Sequence, residues 1–534
     1  MSAASDSTSR IVWAALAFCL LLLRVPSLVQ PAGGDQGLYA YTAQRVNEGG
    51  VPYQTAWDQK PPGIFFVYAL LERVWPSQSL VAFADLTVAA LVAGLLMLLG
   101  RRYGGTTAGG IAACTFLLFA HPSLTRLSGV YVRSQCETFI ALFVTLAMVL
   151  ASWPVRRSVM LVLAGVCFGV AVWFKYNALA YALPIAAIAA PAPGDRSDRG
   201  PWDIDVFRIG MGVAAVTAVA LLYFRAHGAL TDLRLATIDY NLRYSGETYA
   251  GPLRALLYPL TLPILRARID MLWFLGGVGA LLALTRRSGD RSAVVAFVWI
   301  GAASLSIAIN GARDLPQYFV QAAPALAWAA GLGFAGLWTR SAGIRLLAIA
   351  VVVLGLWRVG VEAPALGGFR FGGLPPLIEN IRFDLDYAFG RIERSAYLAR
   401  FSGGKFDAVA TDEMIRYVAE TTQPSDAVFV FGFSGGSIGA WSHRRSPTRF
   451  FWSRPVMLGF EAGRPGYDVA GLEADLKRDP PALVILQKLD WHLGEALPNS
   501  SEFFLNHAEL RAWLEAGYVP DRDTTMFAVW RRRG

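Results

Sequence analysis

The chain alternates between long apolar runs and short polar breaks as far as about residue 360, and then changes character. Eleven runs approach the roughly 20 apolar residues that cross a hydrocarbon layer. They are 11–30, 79–100, 106–122, 136–153, 158–174, 177–192, 208–227, 269–285, 291–309, 317–338 and 342–360. Arginines gather in every second break, at Arg101/Arg102, Arg156/Arg157, Arg196/Arg199, Arg286/Arg287/Arg291 and Arg340/Arg345. Positive charge marks the cytoplasmic side of short loops, so those five breaks belong inside. The N-terminus is then cytoplasmic and everything after residue 360 is extracytoplasmic. The first run has the length of a signal-peptide core, but Pro31-Ala-Gly-Gly-Asp35 leads straight into a structured-looking segment. A retained signal anchor is the expectation.

Two outer loops are long. In the first, 31–78, Tyr39, Thr42/Ala43 and Val46 share one helical face, and Ile64, Tyr68, Leu71 and Trp75 share another. Both helices are too short to span and fit segments lying along the membrane surface. The second long loop covers 228–268. Beyond residue 360 the composition is that of a soluble protein. Ala427–Phe433 and Ala482–Gln487 read as buried strands, alternating with helical patterns at 408–420 and 468–478. The expected architecture is an α-helical polytopic membrane bundle of about 11 spans over 1–360, followed by an extracytoplasmic α/β domain over 361–534.

Composition narrows the function classes. Of the 534 residues 55% are hydrophobic and 16% charged, and the mean hydropathy is +0.42. That excludes a soluble globule, an intrinsically disordered chain and a secreted disulfide scaffold. The net charge of +9 resides largely in the loop arginines, so it reports topology and no nucleic-acid partner is expected. Cys19, Cys114, Cys136 and Cys167 lie in or beside apolar runs, with no CxxC and no His at ligand spacing. The sequence requires no cofactor and leaves a divalent metal undetermined.

The lysines carry the sharpest signal. There are 5 against 43 arginines, and only Lys60 and Lys175 occur in the first 400 residues. Both fall on the predicted outer face, where the inside bias would not put them. Lysine is a compact point charge suited to phosphate, and an ionisable group at such a depth is a functional candidate. Two snorkelling interfacial lysines are the structural alternative. Asp35, in Gly33-Gly-Asp-Gln-Gly-Leu-Tyr39, is placed either to take a proton near a lipid-borne substrate or to cap the helix that follows. Asp58, in Trp57-Asp-Gln-Lys-Pro-Pro-Gly63, is spaced to pair with Lys60. Glu137 opens the fourth run, where the helix dipole favours an acid.

An Asp after the first run, a Lys-Pro-Pro box 25 residues on and an acid opening the fourth run resemble glycosyltransferase family 39. That family holds the protein mannosyltransferases and the lipid A aminoarabinose transferases, within the type C membrane glycosyltransferases. Phe174-Lys-Tyr-Asn177 is similar to the family's Thr-Lys-Gly segment, and Arg313-Asp-Leu-Pro-Gln-Tyr-Phe319 with Pro324 to its short outer loop. The resemblance implies inverting transfer of a sugar from a polyprenyl-phosphate donor to a lipid, glycan or protein hydroxyl, in a bacterial inner (plasma) membrane. It would make Asp35 the base, Glu137 and Asp58 supporting acids, and Lys60, Lys175, Arg313 and Tyr318 the holders of the lipid phosphate. At Gln36 the chain departs from the protein mannosyltransferases, which carry a second acid there.

Other readings stay open. A transporter or lipid flippase fits the hydropathy, although the polar residues cluster at one face and no repeat is visible. Gly432-Phe-Ser-Gly-Gly436 follows a predicted strand and matches a nucleophile elbow, with His443, His492 and His507 as partners for a serine hydrolase. A tail of about 170 residues is short for such a hydrolase, and a plain glycine-rich turn after a strand is the expectation. Asp203-Ile-Asp205 and Asp384-Leu-Asp386 match metal motifs of nucleotide-sugar enzymes but read as solvated acidic loops, and Asn499-Ser-Ser501 matches a glycosylation acceptor.

Overall fold

The computed structural model describes residues 11–124, 132–190, 202–246, 249, 251–285, 291–312, 315–365, 374–403, 406–460, 465–490 and 498–534. Each of the eleven apolar runs is mostly helical where described. The second and third form one hairpin within Ser79–Phe119, reversed at Gly105. Gly105 has φ +82°, a conformation an L side chain rarely adopts. The returning helix packs so closely that a Cβ on Gly100 would fall 2.5 Å from the Cα of Gly109.

Among the described residues five helical segments are long and apolar enough to cross a membrane: Ile11–Val29, Ser79–Phe119, Trp202–Ala226, Ser292–Ile309 and Ala342–Gly360. Pro252–Ala267 and Met271–Leu284, bent by 105°, make a sixth as a broken pair. The remaining apolar helices, Cys136–Ser152, Arg157–Val172, Tyr176–Ala189 and Ala323–Ala335, are shorter. Trp202–Ala226 and Ala342–Gly360 leave most of their apolar surface uncovered by protein, as a lipid-facing helix does. The chain is an integral membrane protein.

The C-terminal region holds a four-stranded sheet. Its strands are β1 (Val428–Phe431), β2 (Leu483–Gln487), β3 (Tyr518–Asp523) and β4 (Phe527–Arg532), in the order β1-β2-β4-β3. β1 and β2 are parallel and wholly buried, as a crossover-connected pair should be, and the other pairings are antiparallel. Ala408–Thr421 and Val469–Arg478 are helical, close to the expected bounds.

The two loop helices differ from each other. Gly63–Val74 buries Ile64, Phe65, Tyr68 and Ala69 and exposes Phe66, Leu70 and Val74, the one-sided pattern of a surface helix. Gly34–Asn47 departs from the surface expectation. Gly34 and every residue from Gln36 to Gln44 are buried, so it is enclosed on all sides. The cause is a second contact face. Gly34 and Gly37 lack a side chain; the Phe433 ring fills the space beside Gly34, and the helix Gly435–Ser442 of the C-terminal region that beside Gly37. A Cβ on Gly37 would fall 2.6 Å from the backbone of Ser437, and one on Gly436 would fall 2.7 Å from the backbone of Leu38.

Candidate functional site

The site begins at the start of the Gly34–Asn47 helix. Gly33 is extended and the helix opens at Gly34. Its capping is done by Gln36: Oε1 accepts from the Gly33 N–H at 3.1 Å, while Nε2 donates to the Arg133 carbonyl at 2.8 Å. Gln36 is fully buried and uses both ends of its amide. An ionised acid there would have no proton to give the Arg133 carbonyl. The capping alternative for Asp35 therefore fails: the N-cap is Gly33, and among the described residues no hydrogen bond or ion pair engages the Asp35 carboxylate.

Tyr39 lies one turn further on, on the same face as Asp35. Its hydroxyl donates to Gln135 Oε1 at 2.9 Å, and Lys60 Nζ stands 5.7 Å from its ring centre. Burial raises the Tyr39 phenol well above its ordinary range, with Cys136, Asp35, Asp58 and Glu137 pushing the same way. Tyr39 thus sits within electrostatic reach of all three sequence-predicted acids.

Asp58 and Lys60 pair at 3.7 Å. Asp58 is fully buried; its Oδ1 accepts from the Gln59 N–H at 2.6 Å, and its Oδ2 has no hydrogen-bond partner among the described residues. Burial pushes the Asp58 carboxyl up, Lys60 opposes this and Asp35 adds to it. Tyr53 donates to the Lys60 carbonyl at 2.8 Å, and the Gly63 N–H donates to the Trp173 carbonyl at 3.0 Å. That second bond, two residues before Lys175, draws the Lys-Pro-Pro box against the second lysine.

Lys175 Nζ donates to Glu137 Oε1 at 2.5 Å and lies 4.5 Å from the centre of the Tyr318 ring. Phe174 stacks on Phe139 at 5.2 Å, and Asn177 Nδ2 donates to the Ser306 carbonyl at 2.7 Å, fixing the segment on both sides. The structure thus brings Asp35, Asp58, Lys60, Glu137, Lys175 and Tyr318 around the Tyr39–Gln135 bond. Arg313 lies outside the described residues. Sequence reasoning used Tyr39 only as a face marker and did not single out Gln135. The available signal was the i, i+4 spacing of Tyr39 from Asp35.

The other motifs resolve into structural roles. Asp205 pairs with Arg157 at 2.6 Å and with Arg208 at 3.1 Å. Asp384 accepts from Tyr397 and Gln30 at 2.7 and 2.8 Å, and Asp386 pairs with Arg391 at 3.0 Å. Asn499 caps the helix Ser500–Asn506 through the Glu502 N–H at 2.8 Å. Among the described residues no group of three or more His, Cys, Asp or Glu is arranged to hold a metal.

Ser434 is fully buried, with Thr411 Oγ1 3.4 Å from its hydroxyl. His443 is exposed and His507 is hydrogen-bonded to the Phe503 carbonyl, so neither engages it; His492 lies outside the described residues. Ser434→Ala is expected to cost about 0.5–1.5 kcal/mol of stability, the worth of one weak hydrogen bond. It should leave enzyme activity unchanged, and a serine-directed fluorophosphonate should not label the wild-type protein. Stoichiometric labelling at Ser434 would restore the hydrolase reading.

No family model and no curated protein matches the chain. Solved structures do. ArnT from Cupriavidus metallidurans bound to undecaprenyl phosphate superposes with a TM-score of 0.58 at 15% identity, over 99% of this chain and 98% of that one. Its apo state gives 0.58 at 16% identity, over the same shares. The oligosaccharyltransferase AglB from Archaeoglobus fulgidus, in complex with an inhibitory peptide and a dolichol-phosphate, gives 0.48 at 13% identity, over 99% of this chain and 74% of that one.

Proposed function

Because the chain carries the fold of ArnT, a type C membrane glycosyltransferase, we propose that it transfers a sugar from a polyprenyl-phosphate donor to an acceptor hydroxyl. The reaction takes place at the extracytoplasmic face and inverts the anomeric carbon. The observation that carries this reading is the pairing of two lysines with two acids around Tyr39, Lys60 with Asp58 and Lys175 with Glu137, beside a third carboxylate, Asp35, that no described residue bonds. Two cations suit a phosphate leaving group, whose developing charge they stabilise without a proton donor. Asp35 takes the proton of the acceptor hydroxyl. Asp58 and Glu137 orient the lysines, and Tyr318 bounds the pocket of Lys175. ArnT binding undecaprenyl phosphate supports a lipid-phosphate donor here.

The test is incubation of the purified protein with a panel of polyprenyl-phosphate sugars, following release of the polyprenyl phosphate. Consumption of at least one donor, dependent on Asp35, is the expected result. No consumption of any, with the protein folded, would overturn the transferase reading in favour of the transporter or flippase.

The eleven-span topology belongs to the same proposal and has its own test. Glu515 is exposed in the C-terminal region and takes the reporter. In a cysteine-free background an impermeant maleimide should label Glu515→Cys in intact cells and spare Val155→Cys, beside Arg156/Arg157. The reverse pattern would overturn both the topology and the catalytic face.

A further inference from the structure

Asp35 and the Asp58–Lys60 pair stand on separate stretches of one loop, and a single stretch of the C-terminal region grips both. Against the Asp35 helix, Gln44 Nε2 donates to the Ala440 carbonyl at 2.9 Å. Tyr41 accepts from the Ser446 N–H at 2.7 Å and stacks on Phe451 at 4.3 Å. Against the Asp58 stretch, the Trp57 N–H donates to the Arg449 carbonyl at 2.9 Å, and Trp452 Nε1 donates to the Trp57 carbonyl at 3.1 Å. Two consecutive peptide planes are therefore fixed immediately before Asp58. Trp57 and Trp452 are both buried, and Phe460 closes on the Trp57 ring at 5.4 Å. The Asp58 carboxylate is held by its chain neighbours, the Gln59 N–H at 2.6 Å and Lys60 Nζ at 3.7 Å, so its place relative to Asp35 follows the backbone that carries it.

We propose that Trp452 is a positioning residue for sugar transfer: its indole N–H fixes the Trp57 carbonyl, and through it the Asp58–Lys60 pair relative to Asp35. The inference rests on the proposed transferase activity for its kinetic half only. A site loosened by about an ångström loses rate before it loses ligand. The indole N–H of Trp452 is spent on the Trp57 carbonyl and is not offered to a phosphate, so donor affinity should be spared.

Trp452→Phe keeps the ring and removes the N–H; β-(3-benzothienyl)alanine at 452 does the same with nearly the same shape, should the Phe variant misfold. Tyr518→Phe is the control, deleting a buried hydrogen bond of similar length, 3.0 Å to the Pro481 carbonyl, elsewhere in the region. We expect the 452 variant to bind undecaprenyl phosphate within about threefold of wild type and to lose at least tenfold in kcat. Tyr518→Phe should keep its kcat. In hydrogen–deuterium exchange the amides of residues 57–60 should exchange at least tenfold faster in the 452 variant and unchanged in the control. Wild-type kcat, or a loss shared equally by both variants, would overturn the proposal. If the wild-type protein consumes no polyprenyl-phosphate sugar, the functional reading fails and the exchange arm still decides: unchanged exchange at 57–60 overturns the positioning role.

Discussion

Asp35→Asn is expected to fold, to bind donor lipid as the wild type does, and to transfer sugar at least about 100-fold more slowly, the lower end of what a positioned base contributes. The side chain has no structural duty that an amide would fail to perform. Gly33 and Gln36 open the helix, and no described residue bonds to the Asp35 carboxylate. The charge itself, near a helix N-terminus, is worth only about 0.3–1 kcal/mol to stability. What the amide cannot do is accept the proton of the acceptor hydroxyl. Asp58→Asn and Glu137→Gln should fall between Asp35→Asn and the wild type, because each serves a lysine. Thermal unfolding, donor binding and steady-state rates on the native donor and acceptor make the check. Ordinary turnover by Asp35→Asn would remove it from catalysis and leave the function resting on the lysines.

The second large effect belongs to Lys175. Losing a charge-assisted contact to phosphate costs about 1.5–3 kcal/mol, so Lys175→Ala should weaken donor binding by at least about tenfold. Its bond to Glu137 uses one of three ammonium donors, which leaves the others for phosphate oxygens. Glu137 is 1% exposed, so the alanine variant also strands a buried carboxylate, and breaking such a pair costs about 3–5 kcal/mol. The double variant Lys175→Ala/Glu137→Gln separates the two effects. It should recover most of the stability and none of the donor affinity. Recovery of both would reduce Lys175 to a partner for Glu137. Lys60→Ala should weaken the donor similarly with a smaller loss of stability, because its contact with Asp58 is longer, at 3.7 Å.

The bundle was legible because its signal is local: a run of apolar residues declares itself without reference to what it packs on. The same holds for β1, expected over Ala427–Phe433 and found at Val428–Phe431, since a fully buried strand is apolar at every position. β3 was not legible. Only Tyr518 in it is buried, and Pro520 interrupts it, so it lacks the alternation that marks a strand. At the site, Lys60, Lys175 and the three acids stood out by rarity and position, whereas their pairing is a property of the fold. Nothing in the sequence says that Lys175 meets Glu137, or that Gln36 spends its amide on Gly33 and Arg133. Gly432-Phe-Ser-Gly-Gly436 is a turn running from β1 into the helix Gly435–Ser442, as one of its two readings had it, and yet its further role was hidden. Read as an elbow or as a plain turn, it gave no sign that Gly436 and Ser437 press against Gly37 and Leu38, because close approach between two glycine-bearing segments is visible only when both are in place.

The bond from Trp452 to Trp57 joins positions 395 residues apart. At synthesis rates of about 5–20 residues per second, roughly 20–80 s separate the emergence of its two ends. Throughout that interval the helices up to Ala365 can be inserted while the loop bearing Asp35 and Asp58 waits without its clamp. The nascent protein is then a lipid-embedded scaffold with its acids loosely held. A ribosome that stalls before residue 452 leaves a product whose apolar helices can enter the membrane while the loop acids lack the Trp452 bond.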